Sequence, residues 1–235
     1  MTLTDVMSEL ALYGSEQIKQ IYLNHGAPEP LFGVKVGDMK KLKRKIGINH
    51  RLALELYETG NSDARYLGGL IAEPQKMPKE DLQKWARDAN WYMLSEYTIP
   101  WVVAESIYAL ELSFEWIDSD AENLESSGWS TISFLPGLRN APKPDHNVVL
   151  QLLNIVENKI HLAKNRVRYT MNGFVISVAY YYPELASEAA YTAGIIGKVE
   201  VNLGKTACKV PLAKEYIQKI VVNEHFAKPR KTFRD

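Results

Sequence analysis

"LALELYETGNSDARYLGGLIAEP", Leu52 to Pro74, reads as two short helices joined back to back. With Asn49 to Arg51 added in front, the first is "NHRLALELYETG"; the second, "SDARYLGGLIAEP", is capped by Ser62 or Asp63 and closed by Pro74. So short a connection makes them a tight pair, and the small residues of "LGGLIAEP" allow close packing of helix on helix. The second half of the chain repeats the scheme. There "HNVVLQLLNIVENKI" precedes "AKNRVRYTMNGFVISVAYYYPEL". Arg168-Tyr169 echoes Arg65-Tyr66 near the start of the second helix, small residues follow mid-helix, and a proline marks the exit. Loosely similar helix pairs in series point to an all-α solenoid of HEAT type, not to a bundle.

Helical periodicity extends outward from these pairs. "SEQIKQIYLNHG" puts Ile18, Ile21 and Tyr22 on one face and stops at Gly26. "GDMKKLKRKIG" offers Asp38 as an N-cap, presents Met39, Leu42 and Ile46, and ends at Gly47. Pro78 sits near the first turn of "PKEDLQKWARDAN", and Pro100 predicts a break or kink inside the piece from Trp91 to Leu112. One stretch departs from the pattern. "GKVEVNLGKTACKV", Gly197 to Val210, alternates apolar and polar residues around Gly204, which predicts a β-hairpin at about 198–210. The expected organisation is a single domain over 1–227, followed by a basic tail at 228–235. "KPRKTFRD" has no large apolar residue except Phe233, so the tail is expected to be mobile.

The 235 residues are 46% hydrophobic and 24% charged, an ordinary globular balance. No apolar run approaches the ~18–20 residues of a membrane span, and "MTLTDVMSEL" lacks the order of a signal peptide. A single cysteine, Cys208, permits no internal disulfide, so a cytoplasmic location is expected. Cys208 reads as a small, half-buried hairpin residue, with a nucleophile as the alternative. The net charge of zero hides a polarity along the chain. Lys35 to Arg51 holds seven bases against one acid, Asp88 to Leu138 holds nine acids and no base, and Lys198 to the end holds nine bases against four acids. Either these are solvated faces that happen to segregate, or two basic ends border a polyanion while the acidic middle faces away.

There is no phosphate-binding glycine loop, no dinucleotide fingerprint, no zinc spacing and no nucleophile elbow, so no cofactor or metal is expected. The segments "FGVKVGDMKKLKRKI", "LALELYETGNSDARYLGGLIAEP", "WARDANWYMLSEY" and "GKVEVNLGKTACKVP" together resemble the HEAT-like repeat DNA alkylation repair family, the AlkD-related glycosylases. The resemblance runs from about Phe32 to Pro211. It implies a C-shaped, armadillo-type solenoid whose concave basic face holds duplex DNA, and active members that excise cationic alkylpurines.

The resemblance also implies a Trp and, four residues on, an Asp, which place an aromatic and a carboxylate beside the lesion. Here the Trp matches Trp91, but the second position is Ser95, a neutral hydroxyl that cannot offset developing oxocarbenium charge. Glu96 is ~100° further round an α-helix. A register shifted by one would pair it with Tyr92 instead. The family's Arg has no counterpart until Arg139, and a second family Trp falls near Gly173 or Phe174. Trp91 itself is either a site residue or core. No catalytic residue is therefore assigned. The resemblance is closest to a non-glycosylase branch, the AlkF/AlkG type, which lacks the Asp, carries a β-hairpin and has affinity for branched DNA. The expected DNA contacts are Lys198, Lys205 and Lys209 on the hairpin, Arg168, and Lys228, Arg230 and Lys231 on the tail. The hairpin either enters a DNA groove or is decoration packed on the last helix. Three functions stay open: a monomeric, non-catalytic binder of branched or duplex DNA, a glycosylase with a modified site around Trp91, and a protein-interaction solenoid.

Overall fold

The computed structural model describes residues 1–235, and thirteen α-helices account for most of them. Helix α1 (Leu3–Tyr13) starts on a capping box in which the Thr2 hydroxyl accepts from the Asp5 N–H and the Asp5 carboxylate accepts from the Thr2 N–H. Helices α2 (Glu16–Asn24) and α3 (Val36–Ile46) follow. Lys35 caps α3, so Asp38 lies in its first turn and is not the cap. It favours the helix through the dipole instead.

The deciding stretch folds as α4 (His50–Glu58) against α5 (Ser62–Ile71). A β-carbon on Gly68 would stand 3.0 Å from the Ala53 carbonyl oxygen, so any larger residue would push the two helices slightly apart. The α5 cap is Asn61, whose side chain accepts from the Ala64 N–H. Asp63 is free for another task. Its carboxylate accepts from the N–H groups of Phe32, Gly33 and Val34 at 2.6–3.0 Å and ties the approach to α3 onto α5.

Helix α6 (Lys79–Asp88) is capped by Pro78. Beyond it, one helical run from Tyr92 to Ala104 contains a π-turn at Leu94–Thr98 and ends as α7 (Ile99–Ala104). Pro100 explains the π-turn. It has no N–H for the Glu96 carbonyl, and its ring would crowd that carbonyl in an α-helix; widening the turn relieves both. The predicted break at Pro100 is thus an inserted residue within a continuous helix. Helices α8 (Ala109–Ile117), α9 (Glu122–Phe134), α10 (His146–Lys159), α11 (Asn165–Tyr181), α12 (Ala186–Ile196) and α13 (Ala213–Val222) complete the order.

The second members of successive pairs stack into one layer, with α9 packed against α7 and α11, and α11 against α13. The core lies in two apolar clusters. One runs from Val6 to Trp116 and the other from Ala104 to Ile217, so they meet around α7, α8 and α9. No helix is long and apolar enough to cross a membrane.

Two expectations fail at the C-terminal end. The segment 197–212 contains no strand, and no hairpin forms. Its polar backbone groups are taken by other elements: the Asn165 side chain bonds both the N–H and the carbonyl of Asn202, the Lys205 N–H donates to the Asn24 carbonyl, and the Asn172 amide donates to the Pro211 carbonyl. Alternation predicted a strand, but each partner is a side chain or loop instead of a sister strand. The tail 228–235 is also not free of the body. Arg230 exchanges backbone hydrogen bonds with Gly137 and Arg139, and Phe233 lies 4.8 Å from Phe134, ring to ring. Arg234 is buried, donating to the carbonyls of Gly69, Leu70 and Ala72 at the end of α5 and to the Glu105 carboxylate at 2.8 Å. A cation on exposed helix-end carbonyls satisfies both.

Candidate functional site

The π-turn sets the site. Ser95 still stands one α-turn beyond Trp91, its N–H donating to the Trp91 carbonyl at 3.0 Å, and the wider spacing begins at Leu94, whose carbonyl accepts from the Ile99 N–H. Trp91 is 5% exposed and packs with Ala27 and Leu31, its ring 5.1 Å from that of Tyr22 and 5.6 Å from that of Tyr92. Its indole Nε1 has no hydrogen-bond partner. Ser95 is buried too, and its carbonyl accepts from the Ser127 hydroxyl at 2.7 Å.

Glu96, adjacent to Ser95, carries a buried carboxylate. It is 2% exposed and holds Arg166 at both oxygens, Nε to Oε1 at 2.5 Å and Nη2 to Oε2 at 2.6 Å. The guanidinium lies between two rings, 4.9 Å from the centre of Tyr92 and 4.6 Å from that of Tyr169. The Glu122 carboxylate accepts from the Arg166 N–H at 2.9 Å and so fixes the start of α11. Burial pushes the Glu96 carboxyl up to about 7, with Arg166 acting in the opposite direction. Burial likewise raises the phenols of Tyr97 and Tyr169.

Two hollows flank this pair and share Tyr97 and Tyr169 as a common wall. A groove of about 430 Å³ is bordered by Trp91, Tyr92, Arg166, His25, Cys208 and Lys209. A smaller hollow of about 250 Å³ lies between α9 and α11, with Glu96 at its edge.

The expected DNA-contacting residues fall on two parts of the chain, the segment 198–209 with Arg168 near it, and the docked tail. Lys209 lines the groove, and Lys205 is exposed in the same segment beside Asn24. Lys198 is engaged with Glu200 at 2.6 Å. Arg168 is half-buried, and its Nε is enclosed without a partner. Lys228, Arg230 and Lys231 are exposed on the docked tail, with the Arg230 guanidinium 5.0 Å from the Phe233 ring centre. Arg139 is committed to the tail, its Nε donating to the Pro229 carbonyl. Cys208 is exposed, not half-buried, with Sγ 4.0 Å from Nε2 of His25.

Sequence reasoning missed the Glu96–Arg166 pair and its tyrosine surround. Seventy residues separate the two charges; the one signal within reach was Pro100, four residues beyond Glu96. Six of the nine acids in the acidic stretch, Asp88, Glu96, Glu105, Glu111, Glu115 and Glu125, pair with bases outside it.

Comparison with known proteins follows the same lines. A family model described as DNA alkylation repair enzyme matches residues 6–194. Two uncharacterized proteins, Lin0241 of Listeria innocua and Lmo0209 of Listeria monocytogenes, are each 37% identical over 225 residues, covering 93% of this chain and 97% of theirs. A solved structure, described as one of a new family of proteins related to the HEAT-like repeat DNA glycosylases with affinity for branched DNA structures, matches with a TM-score of 0.91 at 37% identity, and the match covers 100% of both chains.

Proposed function

Because the chain belongs to the DNA alkylation repair enzyme family, we propose that it binds branched DNA by shape and does not excise bases. The carrying observation is at Ser95 and Glu96. Ser95 is neutral, and both oxygens of the neighbouring carboxylate are already spent on Arg166. A fixed anion free to face an oxocarbenium centre is therefore missing, and losing such a group commonly costs ~3–4 kcal/mol of transition-state stabilisation. What supports the branched preference is the similar solved protein, whose description includes that affinity.

Lys205 and Lys209, exposed and without a carboxylate partner, are the phosphate contacts on this reading, with the tail bases as a second patch. Contacts of this kind release counterions and read no sequence. The test is Kd against salt for a three-way junction, a four-way junction and a duplex. We expect tighter binding of the junctions. Lys205→Ala/Lys209→Ala should lower the log–log salt slope by about 0.9 for each lost contact. Equal affinity for all three forms would overturn the branched reading.

A second reading rests on the same pair. Glu96 lies near Tyr92 and holds Arg166 against that ring, and a carboxyl raised to about 7 has the character of a tuned acid. Time-dependent release of a 3- or 7-methylpurine from alkylated duplex would establish that reading in place of ours.

A further inference from the structure

We propose that the hollow between α9 and α11 is a pocket for one unpaired nucleobase, a claim that rests on the DNA-binding reading and extends it. Size comes first. Its volume of about 250 Å³ exceeds the roughly 150 Å³ of an apolar cavity that accepts benzene, so one fused ring system fits and a base pair does not. Its walls are aromatic. Tyr97 comes from the π-turn, Phe134 from the end of α9, and Tyr169 and Tyr181 from α11. Stacking on such rings tolerates any base, because every base has a π-face. Phe233 of the docked tail backs Phe134, which holds that wall in place without a ligand.

The second observation is Gly173, exposed in the middle of α11. A helix-interior glycine costs about 1 kcal/mol relative to alanine, so it needs a reason. Positive φ is not the reason here, and neither is close packing, since an added β-carbon would meet nothing within 4 Å. Gly37 and Gly194 also have open surroundings, but Gly173 is the one that lines a hollow. A side chain there would fill the pocket.

The polar groups select an edge. Ser133 and Ser177 each spend their hydroxyl proton on a carbonyl at 2.6 Å, which leaves lone pairs toward the hollow. Glu96 also lines the hollow, its carboxylate oxygens held by Arg166. A rim of acceptors fits the exocyclic amino edge of adenine or cytosine better than thymine. Across the shared Tyr97–Tyr169 wall, Arg166 and Lys209 border the groove where the strand's phosphates would lie.

The experiment uses the full chain and a short single-stranded oligonucleotide carrying one 2-aminopurine, with an abasic copy as its control. In the wild type we expect quenching of the probe on binding, and about tenfold weaker binding of the abasic strand. Gly173→Leu should abolish both effects while leaving duplex affinity and thermal stability intact, since the space is open and leucine favours helix. Ile176→Phe narrows the same hollow from a half-buried position and should act in the same direction. No binding of the oligonucleotide, equal binding of the two strands, or undiminished quenching in both variants would overturn the pocket. Equal affinity for junction and duplex would sink the branched preference alone and leave the contrast between base and abasic strand standing.

Discussion

Glu96 is a buried carboxylate whose two oxygens both hold Arg166. Its raised pKa has a consequence for stability that can be signed. Between the ordinary carboxylate value of 4.5 and about 7, the folded chain keeps this proton while the unfolded chain has released it. Stability from this group is therefore fully present below 4.5 and falls as pH rises through the window, by about 3 kcal/mol at most. Glu96→Gln cannot ionise, so its stability curve should be flatter across pH 4.5–7 than that of the wild type. Urea denaturation at several pH values measures this. A wild-type curve that climbs through the window would mean that attraction to Arg166 outweighs burial. Trp91 and Ser95 were singled out through the family resemblance, because its motif of two side chains on one helix is local in sequence. Glu96 was visible only as an alternative in a shifted register, and its pairing was not, because the partner comes from α11.

At the scale of elements, the segment 197–212 shows how a strand pattern can be overruled. Alternation prepares a strand, but strands need a partner ladder, and here Asn165 occupies both backbone groups of Asn202. Gly204 adopts φ +81°, and its amide is taken by the Asn202 side chain, so the chain turns toward α2 and not back on itself. Removing the staple should free the segment. Asn165→Ala is expected to cost about 1–2 kcal/mol and to raise amide hydrogen exchange at Asn202 and Lys205 specifically. Uniform exchange changes across the molecule would show instead that Asn165 serves only global stability. The helix pairs, by contrast, were readable in advance, because caps, small residues and prolines act within a few residues of where they stand.

On the scale of the whole molecule, the tail joins parts that are far apart in sequence. Arg234 reaches the end of α5 and Glu105, Asp235 pairs with Lys43 at 2.7 Å, and Phe233 rests on Phe134. The strap thus spans both apolar clusters. Arg234→Ala would remove the donors to three carbonyls at the end of α5 and leave the half-buried Glu105 carboxylate with only the Thr232 hydroxyl, an expected loss of about 3 kcal/mol. Glu105→Ala should lose less, and the double variant should fall well short of the sum, because the two side chains share one interaction. Deleting 228–235 should lower the thermal midpoint and raise exchange in α3, α5 and α9 together. An additive cycle, or a deletion with an unchanged midpoint, would show the tail to be a passenger.

The amino-acid sequence by itself determined the helical class, the pairing of successive helices and the kinship, because each rests on patterns that repeat within one or two turns. Through the family resemblance, it also showed Ser95 where that resemblance implies a carboxylate. Tertiary structure decided the rest: which acids face which bases, that the alternating segment stays single, that the tail docks, and that two tyrosines divide two hollows. These depend on partners tens to more than a hundred residues distant, and the free energy of such contacts is set by burial and geometry that no local pattern encodes.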